Sequence, residues 1–103
     1  MNIETYQLGK RLDSANYRQV QEEILPILEK GCTLVIDMTP CAYVSSAGLR
    51  VLLYSRKVAA SKGQNIYLVG VNERVKDVMD ITGFASFFDM FSSMEECLAA
   101  LND

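Results

Sequence analysis

Cys32-Thr33-Leu34-Val35-Ile36-Asp37-Met38 is short, rich in β-branched residues and almost wholly apolar. An apolar run of this length without alternation reads as a strand buried on both faces, in the middle of a sheet. Thr39-Pro40 ends it. From about Ser46 to Ser61 the pattern becomes helical, with Leu49, Leu52, Leu53, Ala59 and Ala60 on or near one face. A buried strand feeding an amphipathic helix is the unit from which layered α/β structures are built.

The same unit recurs on either side. Lys62-Gly63-Gln64-Asn65 is a turn, and Ile66-Tyr67-Leu68-Val69-Gly70-Val71 is another buried strand. Asn72 is placed to cap a helix running to about Thr82, with Val75, Val78 and Met79 inward and Gly83 as its stop. Phe87 to Met90 reads as a last short strand. Ser92-Ser93-Met94-Glu95 reads as a capping box for a helix from Ser93 to about Leu101. Toward the N-terminus, Ile3 to Leu8 alternates with period two and predicts a first strand. Asp13 or Ser14 is the expected N-cap of a helix over 15–30, which Pro26 should kink or break and Gly31 should stop. The order predicts an α/β fold, a sheet of about four strands alternating with four helices, in a single domain spanning 1–103. Alternation does not say which face of the sheet the helices cover.

Composition agrees with a packed domain. The chain has 103 residues, half of them apolar, with only two prolines and six glycines. A domain this size buries roughly 60–70% of its unfolded surface, enough for one core without staples. Ten basic against thirteen acidic residues give a net charge of −3. Nucleic-acid binding is not expected, because phosphate recognition needs a basic face. The absence of histidine excludes imidazole-based zinc sites and Ser-His or Cys-His nucleophile pairs within the chain. Cys32, Cys41 and Cys97 show no C-x-x-C spacing and read as reduced thiols. No apolar stretch approaches the ~20 residues that span a bilayer, and Met1-Asn2-Ile3-Glu4 lacks the start of a signal peptide. The expectation is a small cytoplasmic protein without membrane insertion.

In open α/β sheets, ligands and partners meet the loops at the carboxyl ends of strands. The most informative such loop runs from Asp37 to Arg50 and contains Tyr43-Val44-Ser45-Ser46-Ala47-Gly48-Leu49. Two adjacent hydroxyls stand at a helix start, and a glycine in the first turn lets another backbone come close. By residue chemistry alone, Ser45 or Ser46 is an N-cap worth about 1 kcal/mol. Nucleophilic catalysis has no histidine to support it, and neither G-x-S-x-G nor a Walker loop is present. Asp77 and Asp80 read as a solvated helix face, and Glu22-Glu23 likewise. Phe84, Phe87, Phe88 and Phe91 read as core packing rather than an aromatic ligand box. Cys41 has no basic neighbour to lower its pKa.

Taken in order, several stretches resemble the STAS domain, and specifically the stand-alone bacterial anti-sigma-factor antagonists. They are Gly9-Lys10-Arg11-Leu12-Asp13-Ser14-Ala15, Leu34-Val35-Ile36-Asp37-Met38 and Tyr43 through Leu52. Ile66-Tyr67-Leu68-Val69-Gly70, Val78 through Phe84 and Ser92 through Leu98 continue the match. The resemblance implies a non-enzymatic regulator that needs no cofactor and works by partner switching. Unphosphorylated, such a protein binds an anti-sigma factor, often itself a serine kinase, which phosphorylates it. A PP2C-type phosphatase reverses the mark. The acceptor implied here is Ser46, two residues before Gly48, with Ser45 second because it stands where many members carry aspartate. The docking surface implied comprises Asp13, Ser45, Ser46, Gly48, Leu49 and Arg50, with Asp37 shaping the loop from behind.

Phosphate at a helix start meets free N–H groups and the positive dipole end, so the fold can hold it. It would take the net charge from −3 to about −5. A desolvation penalty of about 4 kcal/mol at the interface would weaken binding roughly a thousandfold. The alternative reading is a STAS-type subunit that braces the ATPase of an ABC-type lipid transport complex without phosphorylation.

Overall fold

A computed structural model describes residues 2–102. The elements in chain order are β1 (Ile3–Gln7), β2 (Arg11–Leu12), α1 (Tyr17–Glu29), β3 (Thr33–Asp37), β4 (Tyr43–Val44) and α2 (Ser46–Ser61). After them come β5 (Ile66–Val69), α3 (Glu73–Thr82), a 3-10 turn (Phe84–Phe87), β6 (Asp89–Phe91) and α4 (Met94–Leu101). The main sheet has four strands in the order β1-β3-β5-β6, all parallel. β3 is internal, and its first four residues are buried, as an apolar run without alternation requires.

The pleat of β3 and β5 divides the core in two. Leu34 and Ile36 of β3 join Ile66 and Leu68 of β5 in one cluster, against Ile24 and Leu28 of α1, Leu52 of α2 and Met79 of α3. Val35 and Val69 point to the other face, where Cys97 of α4 covers them. Three helices therefore share one face and α4 alone holds the other.

Several local expectations change. α1 continues through Pro26, because Val20, Ile24 and Leu28 anchor it to the core. The carbonyl freed by the missing N–H belongs to exposed Glu22, where water can satisfy it. The cap of α1 is Asn16, not Asp13 or Ser14, and its side chain is used elsewhere. Its Oδ1 accepts from the Asp13 N–H and its Nδ2 donates to the Arg11 carbonyl. Gly31 ends the helix at φ 76°. Leu53 is only half-buried and Ala60 is exposed, while Val51 and Ser55 lie inside.

Further along, Asn72 caps α3 as expected, accepting from the Val75 N–H, and Gly83 ends it in the left-handed region. Val78, however, is exposed. The residues before β6 form a 3-10 turn, so that strand starts at Asp89 rather than Phe87. The phenylalanines divide accordingly: Phe88 is buried, Phe84 and Phe91 pack against opposite clusters, and Phe87 is about half exposed. The capping box is one residue later than the sequence suggests. Ser93 accepts from the Glu96 N–H, and the Ser92 hydroxyl donates to the Glu96 carboxylate.

Candidate functional site: the loop and first turn of α2

Asp37 sits at the carboxyl end of β3 and organises the loop that follows. Its Oδ1 accepts from the Thr39 N–H at 3.0 Å and the Thr39 hydroxyl at 2.6 Å. Its Oδ2 accepts from Gln7 Nε2 at 3.2 Å. Burial, the largest single influence, pushes the Asp37 carboxyl upward, but the three hydrogen bonds together hold it below the ordinary carboxylate value. Thr39 also packs against Gly70, where a Cβ would clash with the Thr39 hydroxyl. The loop is then pinned twice more. Asn72 Nδ2 donates to the Cys41 carbonyl at 2.9 Å, and the Ala42 N–H donates to the Lys10 carbonyl at 2.8 Å.

The loop ends in a second, two-stranded parallel ladder formed by β2 and β4. Beyond it the Ser45 N–H donates to the Leu12 carbonyl at 2.9 Å. Gly48 faces the same residue. A Cβ there would fall 2.6 Å from the Leu12 carbonyl oxygen and 2.8 Å from its Cγ. The first turn of α2 is thus seated on β2, and only glycine allows the approach.

The two serines have different surroundings. Ser45 is the N-cap, half-buried, with its Oγ accepting from the Gly48 N–H at 3.3 Å. Ser46 is the first helical residue and is exposed. With the Gly48 N–H taken by Ser45, the remaining N–H groups of the first turn have no intrahelical acceptor and lie at the positive end of the dipole. Arg50, one turn further along, is also exposed.

Asp13 lies just past β2. Its carboxylate pairs with Arg11 Nε at 2.9 Å and accepts from the Ala15 N–H, so it shapes its own turn. The Arg11 guanidinium lies 5.9 Å from the centre of the half-exposed Tyr43 ring. Gly48 and Leu49 are buried. They position the turn from beneath and do not themselves form its outer surface. Cys41 is buried beside the loop, its thiol donating to the Tyr43 carbonyl, and burial pushes its pKa up. Among the described residues no group of three or more His, Cys, Asp or Glu side chains could hold a metal ion.

Sequence reasoning missed Gln7, Thr39 and Asn72 as supports of the loop. For Asn72 a signal existed: one amide can cap a helix with its oxygen and use its nitrogen elsewhere. The ladder between β2 and β4 had none, because two residues carry no periodicity.

Fold and site together define a small parallel α/β protein that offers the start of α2, with Ser46 exposed on it, to solvent. A family model described as the STAS domain matches residues 2–97. The chain belongs to the STAS domain family. It is 34% identical over 90 residues to BtrV of Bordetella bronchiseptica, by name a candidate anti-sigma factor antagonist, covering 86% of this chain and 78% of that protein. A crystal structure of a candidate anti-sigma factor antagonist from Thermotoga maritima matches with a TM-score of 0.90 at 18% identity, over 98% of this chain and 88% of that one. The Bacillus cell fate determinant SpoIIAA, solved in a phosphorylated form, matches with a TM-score of 0.74 at 15% identity, over 97% and 91% of the two chains. Among the described residues, no helix is long and apolar enough to cross a membrane.

Proposed function

We propose that this protein is an anti-sigma-factor antagonist that binds an anti-sigma factor with serine kinase activity and is released when Ser46 is phosphorylated. A PP2C-type phosphatase resets it, and the chain itself acts by binding rather than by catalysis. The names of its relatives support the antagonist role. The observation that carries the choice of residue is the division of labour between the serines. The Ser45 hydroxyl is engaged as the cap, whereas Ser46 stands exposed on the next residue. In this reading Ser46 and Arg50 touch the partner, while Gly48 and Leu49 fix the turn and Asp13 and Asp37 fix the flanking loops.

The mechanism is local electrostatics. A phosphate on Ser46 adds roughly −1.5 to −2 charge to a surface that a partner would desolvate. The helix start can carry that charge without rearrangement. Peptide mass spectrometry of the protein from its native cells tests this directly. A monophosphorylated fraction mapping to Ser46 is the expected result. Phosphate on Ser45 alone, or none across growth and stress conditions, overturns it, and copurification with a permease and an ATPase would then identify a transport subunit. With the partner in hand, Ser46→Ala should keep binding and Ser46→Asp should weaken it. Equal affinity of the Asp variant and wild type would rule out the charge mechanism.

A further inference from the structure

α2 carries Arg50, Arg56 and Lys57, and Lys62 follows it, yet no Asp or Glu occurs between Asp37 and Glu73. On a chain of net charge −3, this helix is a cationic island. Its arginines are not equivalent. The Arg56 guanidinium lies 5.7 Å from the centre of the Phe87 ring, which occupies it. Arg50 is exposed and, among the described residues, takes part in no ion pair or side-chain hydrogen bond.

Ser46 and Arg50 are four residues apart on α2, so they stand one above the other on the same face. An anion placed N-terminal to a cation at this spacing is the favoured order, because both charges then oppose the helix dipole. A guanidinium also matches phosphate with paired donors, which an ammonium does not.

We infer that Arg50 is an intrahelical counter-ion for phosphate on Ser46. The inference rests on the reading of Ser46 as the modified residue and says how that mark is held. The first-turn N–H groups and the Arg50 guanidinium together keep the phosphate against α2 as a dianion. At the same time the guanidinium, open to a partner in the unmodified chain, is withdrawn from the surface. Phosphorylation thus removes a cation from the docking face as well as adding an anion.

Competing charges on neighbouring elements are largely engaged. Arg11 and Asp13, beside the α2 start, pair with each other. On α1, Glu23 accepts from the Tyr6 hydroxyl and Arg18 Nε donates to the Tyr17 hydroxyl, leaving Glu22 and, at the far end of the helix, Glu29 exposed. α2 itself supplies no carboxylate.

The test installs phosphoserine at position 46 during synthesis, so that no kinase is needed, and follows the phosphate by phosphorus NMR as pH is varied. An ordinary phosphoserine loses its second proton near pH ~6. In the otherwise wild-type chain the midpoint should lie about 0.3 unit below that of Arg50→Gln, roughly a twofold change in proton affinity. In about 1 M salt the difference should collapse. The Arg50→Lys midpoint should fall between the two. Equal midpoints for wild type and Arg50→Gln, with both proteins giving the same thermal melt, overturn the pairing. Because the phosphate is placed by synthesis, this outcome is independent of whether cells phosphorylate Ser46, which mass spectrometry reports separately.

Discussion

At Gly48, helix propensity and packing oppose each other. In a helix interior alanine is favoured over glycine by about 1 kcal/mol. Here the added Cβ would meet the Leu12 carbonyl at 2.6 Å, and a backbone atom cannot swing aside. Gly48→Ala should therefore destabilise the fold by about 1–3 kcal/mol in chemical denaturation. A neutral or stabilising result would mean that α2 lifts off β2 at little cost. Asp37 gives a residue-level prediction with a sign. Its folded pKa lies below the ordinary value, so its contribution is present above the unfolded carboxylate value and is lost as pH falls through the folded one. Asp37→Asn should flatten the acid limb of a stability-versus-pH curve below about pH 4. An unchanged acid limb would mean that the bonds from Thr39 and Gln7 do not favour the charged form.

Among the elements, α1 shows tertiary packing overruling a local breaker. Pro26 lies inside it on the exposed side, while Val20, Ile24 and Leu28 hold the opposite side in the core. Restoring an N–H with Pro26→Ala should raise stability by up to about 3 kcal/mol, less the unfolded-state entropy that proline removes. A loss of stability would show that the ring itself is packed. What the sequence makes legible, and what it does not, also divides at this scale. β3, the bounds of α2 and the Asn72 cap were legible because each carries a strong local pattern. The passage of α1 through Pro26 was not, since only the core decides it. The proposal of Ser46 as the acceptor comes from resemblance, since the hydroxyl chemistry of Ser45 and Ser46 is identical; their different surroundings, one capping and one exposed, come from the turn.

For the molecule as a whole, the uneven sheet matters. α1, α2 and α3 cover one face with a large cluster, whereas α4 covers the other through Cys97 and a few half-buried neighbours. Local opening follows the density of buried apolar contact. In hydrogen exchange monitored by NMR, the amides of α4 and β6 should exchange before those of β3, β5 and α2. Equal protection throughout would show a single cooperative unit. Because Ser46 stands on the better-covered face, the proposed mark sits on the rigid side of the protein.

The seating of α2 on β2 has a consequence for when that mark can be written. Ser45 bonds to Leu12 and Gly48 rests on it, so the surroundings of Ser46 are assembled from stretches far apart in the chain. A chain still emerging from the ribosome, or one that has misfolded, presents the same serine on a flexible strand without that platform. An enzyme that reads the platform rather than the flanking residues would ignore both. The pool of modified molecules would then be drawn only from chains that have finished folding, and the switch would double as a record of completed assembly.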